Sequence, residues 1–182
     1  MIIHNLEISK FHSLNDFVNQ SYVLSLKEDS DKFELCKRQA WRYDIEINRW
    51  EATNGQSPEI LKDWAEYMES PWSNLDESLG RKSIDKPGAW GYLLTMKSIF
   101  QDALKNGFES IAVFDDDFIL SKSFDHGFSK MVEILGDNWD VIYLGASQWL
   151  WGDLPPQDVP FYKPDENTNG SFAVIYKRSV FQ

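Results

Sequence analysis

The chain has 182 residues, enough for one domain with a sizeable core, and its 42% hydrophobic and 26% charged content is that of a globular protein, not a disordered one. With 29 acidic against 18 basic residues, its net charge of −11 argues against a nucleic-acid binder, although a phosphate-bearing small ligand stays open if a metal ion supplies the positive charge. The single cysteine, Cys36, rules out an internal disulfide and a multi-cysteine zinc centre, and its amphipathic surroundings predict a buried thiol.

The amino-terminal "MIIHNLEISKFHS" has no basic region leading into an apolar run, and no stretch approaches the ~20 apolar residues of a membrane span. The expectation is a cytoplasmic, soluble protein without a transmembrane segment. Residues 1–20 read as an extension and residues 21–182 as one domain, shortened at "KRSVFQ" where a further helix is expected to begin.

In chain order, "SYVLSL" (21–26) reads as a first strand. "EDSDKFELCKRQAW" predicts a helix with apolar positions at Phe33, Cys36, Ala40 and Trp41. "YDIEINRWEA" alternates Ile45, Ile47 and Trp50 as a second strand would, and "TNG" is a turn. "EILKDWAEYM" predicts a helix within a polar, proline-bearing stretch. "AWGYLLTMKSIFQDALKNG" predicts a stronger one, with Trp90, Leu93, Phe100, Ala103 and Leu104 on its apolar face and Gly107 as its stop. "SIAVF" is a third strand, "FDHGFSKMVEIL" a helix, "WDVIYLG" a fourth strand ending in glycine, and "GSFAVIY" a fifth after a long loop over 146–169. Strands alternating with helices predict an α/β sandwich with a mainly parallel sheet, whose ligands bind beyond the carboxyl ends of the strands.

Asp115, Asp116 and Asp117 follow the third strand at that end. Like charges so close repel, and burying an ionised carboxylate is costly unless a cation compensates it. Asp115 and Asp117, one residue apart, suit a shared Mn²⁺ or Mg²⁺ bridging to a diphosphate, with Asp116 turned away or touching a sugar hydroxyl. The alternative is a solvated turn with no ligand. Aromatic content of 15%, including 8 Trp, fits sugar stacking or simple core packing.

The order of segments resembles glycosyltransferase family 25, the lipopolysaccharide and procollagen galactosyltransferase group. "YVLSLKEDSDKFE" resembles that family's opening strand, and "RWEATNG" its A-x-x-G segment. "KPGAWGYLLTMKSIFQDALKNGFESIAVFDDDFILSKSF" resembles its glycine-bearing helix and L-E-D-D motif, and "WDVIYLG" and "GSFAVIYKRS" its next two strands. Thr95 and Met96 stand where the family has a Ser-His pair, and Asp115 stands where it has Glu.

The resemblance implies a GT-A type (Rossmann-like) fold and transfer of a sugar, for instance galactose, from a UDP-sugar to a hydroxyl on a glycan or protein acceptor. It implies a metal held by Asp115 and Asp117, and a nucleotide flanked by Leu26, Lys27, Asp31, Ala52, Thr53 and Gly55. Asp31 could equally cap a helix, Gly55 serve a turn and Lys27 be a surface cation. An inverting transfer needs a base; the loop after "YLG" offers Asp153, Asp158, Asp165 and Glu166, and Asp153 beside Trp151 is preferred.

Two other readings compete. "VFDDDFIL" superficially resembles the nucleophile motif of haloacid dehalogenase-like phosphatases, with Asp115 as nucleophile and Asp117 as acid/base. A GT-A-type domain that binds sugars or partners without catalysis is the other.

Overall fold

The computed structural model of the protein describes residues 13–73, 84–148, 161–164 and 168–182. Strand β1 (Gln20–Ser25) is buried along nearly its whole length, which places it inside the sheet. Apolar residues on both sides of such a strand need a layer of helices on each face.

One layer comes from α2 (Ser30–Trp41) and α5 (Phe124–Leu135), together with the short α1 (Leu14–Phe17). On this face Val23 of β1 and Ala112 and Phe114 of β3 (Ser110–Asp115) cluster with Cys36, Ala40, Phe128 and Met131. The other face belongs to α4 (Pro87–Asn106), whose Met96, Ile99 and Ala103 cluster with Tyr22, Leu24, Ile111 and Val113. Among these, Phe114, Ile99 and Ile111 are fully buried, each worth about 2 kcal/mol of transfer free energy. The alternation along β1 and β3 decides which side chain meets which layer.

The sheet has five strands in the order β2-β1-β3-β5-β4, with β2 at Asn48–Glu51, β4 at Val141–Gln148 and β5 at Thr168–Lys177. β1 pairs in parallel with β2 and β3, whereas β5 runs antiparallel to both β3 and β4. The architecture is α/β as expected, but the sheet is mixed, two pairings of each kind, not mainly parallel. Alternating strand and helix signals could not give this away, because no helix signal separates the fourth strand from the fifth.

β1 continues through α2 to β2 on one side, while β3 lies on the other side. The chain therefore departs in opposite directions from β1 and β3, and the carboxyl ends of such a pair are where open α/β sheets bind their ligands.

Several local expectations are corrected. Leu14 and Val18, ahead of residue 21, lie in the buried cluster on the α2 face. Trp41 is 82% exposed, because it is the last residue of α2 and projects past the sheet. β2 is only four residues long, with Ile45 buried in the segment before it. The buried face of α4 is Gly91, Thr95, Met96, Ile99 and Ala103, while Leu93 is exposed. Hydrophobicity misplaced this stripe since its upper half is made of a glycine and a threonine. Gly145 lies inside β4, at a register irregularity, not at its end.

Helix α3 (Pro58–Met68) buries no residue of its own and leans on α4 through stacking of Tyr67 on Trp90, 4.6 Å between centroids. Gly107 ends α4 in the left-handed conformation, φ 70°, as its position in the sequence predicts. Among the described residues no helix is long and apolar enough to cross a membrane.

Candidate active site

Three chain segments meet at the carboxyl ends of β1, β2 and β3. The first is the turn after β1. Ser25, buried at the end of the strand, donates from Oγ to the Asp29 carbonyl at 3.2 Å and also contacts the Asp116 carboxylate. Asp29 occupies the N-cap of α2 and pairs with Lys32 at 2.9 Å. Asp31, in the first turn of α2, is exposed, so the cap position is one it does not hold. Leu26 is partly buried and Lys27 exposed.

The second segment follows β2. Ala52 N–H donates to the Ser25 carbonyl at 3.0 Å, extending the sheet by one bond. Thr53 N–H donates to Thr95 Oγ1 at 2.8 Å, and that hydroxyl donates to the Gly91 carbonyl at 2.8 Å. Gly55 is buried where α4 begins. A side-chain amide links the first two segments: Asn54 Nδ2 donates to Glu28 Oε1 at 3.0 Å. Arg49 on β2 donates from one terminal nitrogen to the carbonyls of Leu26 and Lys27.

The third segment carries the aspartates, and their side chains diverge. Asp115 continues the alternation of Ile111 and Val113 and so belongs to the α4 face, in the electrostatic neighbourhood of Tyr92. Asp116 turns to the α2 face, where Lys32 Nζ lies at 3.9 Å and Cys36 Sγ donates to its carbonyl at 3.1 Å. Asp117 is exposed on the turn.

Burial, then the charges of Asp117 and Asp116, raise the Asp115 carboxyl from 3.8 to about 6. Among the described residues no cation acts against that rise. Asp116 is also raised, by burial first, with Lys32 opposing. Burial, followed by the same two carboxylates, pushes the Cys36 thiol up to about 11, so it is a neutral thiol and no nucleophile at neutral pH.

No family model matches this chain, and no curated protein does. The site therefore rests on its own chemistry. Among the described residues no three His, Cys, Asp or Glu side chains converge on one point, so an all-protein metal cage is absent there. Mg²⁺ and Mn²⁺ do not need one, because they are commonly held by one or two carboxylates plus waters and substrate phosphates. A partly buried Asp115 with no counter-cation among the described residues, one residue from Asp117, fits that donor set.

Sequence reasoning brought together Leu26, Lys27, Ala52, Thr53, Gly55 and the aspartates, and the fold gathers these segments at one sheet end. It missed Ser25, Arg49, Gly91 and Thr95. Thr95 was flagged only as a departure from a Ser-His pair, yet its hydroxyl ties α4 to the loop after β2. Met96, at the histidine's place, is 7% exposed within the α4-side apolar cluster. Asp153, Asp158, Asp165 and Glu166 lie outside the described residues.

A cavity of about 440 Å³ lies at the opposite end of the sheet, lined by Glu109, Asp137, Trp139, Asp140, Lys177 and Arg178. There Arg178 pairs with Glu109 at 3.7 Å, Lys177 Nζ donates to the Asp137 carbonyl at 2.8 Å and Ser179 Oγ donates to Asp140 at 2.6 Å. The aspartate end of the sheet differs from it in a carboxyl, Asp115, that burial raises with no opposing cation among the described residues.

Thr95→Val keeps the shape of the side chain but leaves Thr53 N–H without its acceptor. The expected cost is about 1–3 kcal/mol, read as a lower midpoint in urea unfolding with an unchanged slope.

Proposed function

We propose that this end of the sheet binds a nucleotide diphosphate sugar with a divalent cation and transfers the sugar to a hydroxyl acceptor. This is the activity that the resemblance to glycosyltransferase family 25, with its GT-A type fold, implies. The observation that carries it is the partly buried Asp115 at the end of β3, with no opposing cation among the described residues, where α/β sheets change direction and bind their ligands.

Asp115 and Asp117 would hold Mn²⁺ or Mg²⁺. Bound there, the ion supplies Lewis-acid neutralisation of the departing diphosphate. Asp116, kept on the α2 side by Lys32 and Ser25, stays free of that role and borders the turn after β1. Leu26 and Lys27 on one side, and Ala52 to Gly55 on the other, would flank the nucleotide, the two segments being linked by the Asn54–Glu28 bond.

Calorimetry with UDP and Mn²⁺ tests the assignment. Asp117→Ala should weaken UDP binding in Mn²⁺ by at least about tenfold, 1.4 kcal/mol, and leave the weak Mn²⁺-free binding alone. Equal affinity in the two proteins would remove the metal role. The burial of Met96 in the histidine's place favours a second reading, a domain that binds nucleotide sugars without turning them over. Slow, EDTA-sensitive release of UDP from a nucleotide sugar distinguishes the enzyme from that binder. Turnover of a simple phosphomonoester would instead indicate a phosphatase.

A further inference from the structure

The turn after β1 is exposed at Lys27 and Glu28, and one internal backbone bond, Asp29 N–H to the Leu26 carbonyl at 2.9 Å, closes it. Besides the Ser25 and Asn54 bonds already described, it is held from β2. Arg49, in register with Val23, reaches under the turn and donates from one nitrogen to the Leu26 and Lys27 carbonyls, the latter at 3.1 Å. Its guanidinium sits 5.9 Å from the centre of the Phe33 ring.

Two features make this an odd place for an arginine. Among the described residues no carboxylate lies within ion-pairing distance of it. Its Nε is buried without any hydrogen-bond partner, a cost that an apolar side chain packed on Phe33 would not incur.

The geometry that this arginine imposes accounts for its presence. Peptide planes are trans, so each carbonyl opposes the N–H of the following residue. With the Leu26 and Lys27 carbonyls drawn to the guanidinium, the N–H groups of Lys27 and Glu28 point away from it. Among the described residues neither N–H has an acceptor. Two successive free N–H groups on a turn form a concavity suited to an electron-rich oxygen.

We infer that Arg49 is a positioning residue: it turns two carbonyls inward so that the Lys27 and Glu28 amides receive an oxygen of the nucleotide. This rests on the donor-site reading above, and the oxygen belongs either to the diphosphate or to the base.

The test compares the parent protein with Arg49→Met and Arg49→Lys. Arg49→Met should unfold at the parent's temperature or above it, since the unpartnered Nε is gone. In its folded state the Asp29 amide should exchange with solvent about tenfold faster, because the turn it closes has lost its support from β2. UDP affinity in Mn²⁺ should fall at least about tenfold, and Arg49→Lys, which can still reach a carbonyl, should recover part of it. A loss shared by uridine assigns the oxygen to the base, whereas a loss confined to UDP assigns it to the diphosphate. Unchanged Asp29 exchange in Arg49→Met overturns the clamp, and unchanged UDP affinity overturns its role in binding. Should the parent bind no UDP, the donor-site reading fails, and the Asp29 exchange still decides whether Arg49 holds the turn.

Discussion

Asp115→Asn is expected to be more stable than the parent protein at pH 8 without divalent cations, and less stable than it once Mn²⁺ and UDP are both present. The first half follows from linkage. Folding raises the Asp115 carboxyl from 3.8 to about 6, chiefly through burial and then through Asp117 and Asp116. Between those values the folded protein binds the proton more tightly than the unfolded chain, so stability falls as pH rises through this window. Above it the loss is complete, and towards pH 3, where both states are protonated, it vanishes. Each tenfold difference in proton affinity is worth about 1.4 kcal/mol, which bounds the penalty near 3 kcal/mol; solvent screening brings it to about 2. An asparagine never ionises and escapes this cost. In a chain of this length the gain corresponds to about 4–8 °C in melting temperature.

The second half follows from mass action. Ligands at about a hundred times their dissociation constant stabilise the parent by about 2.7 kcal/mol. A variant lacking the carboxylate should gain little. Melting curves at pH 3, 6 and 8, with and without Mn²⁺ and UDP, would show this crossing. A variant that is less stable at pH 8 without metal would mean that a counter-charge already faces Asp115. Equal stabilisation of both proteins by the ligands would remove Asp115 from the site.

What the sequence disclosed, it disclosed where one signal dominated. Helix α5 is bounded as its pattern predicts, and β3 leads straight into the aspartates. Gly107 stops α4 because the left-handed conformation there suits glycine. The aspartate run stood out because charge beside an apolar strand conflicts with burial, and such conflict marks function more reliably than agreement does.

The rest was hidden for identifiable reasons. The antiparallel placement of β5 between β3 and β4 is a choice of pairing partner, and partners leave no mark in local periodicity. Ser25 and Thr95 are buried polar residues whose bonds reach across the fold, to Asp116 and to Thr53, at separations that no window along the chain can span. Arg49 reads as an ordinary surface cation until β2 is laid against β1. The contrast between Asp115 and Asp116 was likewise invisible, since it depends on which helix covers each face of the sheet.

Gly91 and Gly55 make the most demanding packing prediction, because backbone meets backbone there. A Cβ on Gly91 would stand 2.6 Å from the Thr53 carbonyl oxygen and 2.9 Å from Gly55 N, and one on Gly55 would run into the Pro87 carbonyl. None of these atoms is the end of a flexible side chain, so α4 must separate from the loop after β2, breaking the Thr95 bond to Thr53. Gly91→Ala gains about 1 kcal/mol of helix propensity but forfeits more to overpacking, for a net loss of about 2 kcal/mol. Gly55→Ala has no helical gain and should lose about 3 kcal/mol. Gly88, in the first turn of the same helix, has nothing within 4 Å of its would-be Cβ, and Gly88→Ala should gain about 0.5–1 kcal/mol. Urea unfolding of the three variants separates close approach from propensity, since propensity alone would make Gly88→Ala and Gly91→Ala move together. UDP affinity should follow the same division, unchanged in Gly88→Ala and weakened in the other two, because the loop that moves carries Ala52 and Thr53. Stabilisation by all three substitutions would show that α4 and the loop do not touch as described, and the flank proposed for the nucleotide would fall with that contact.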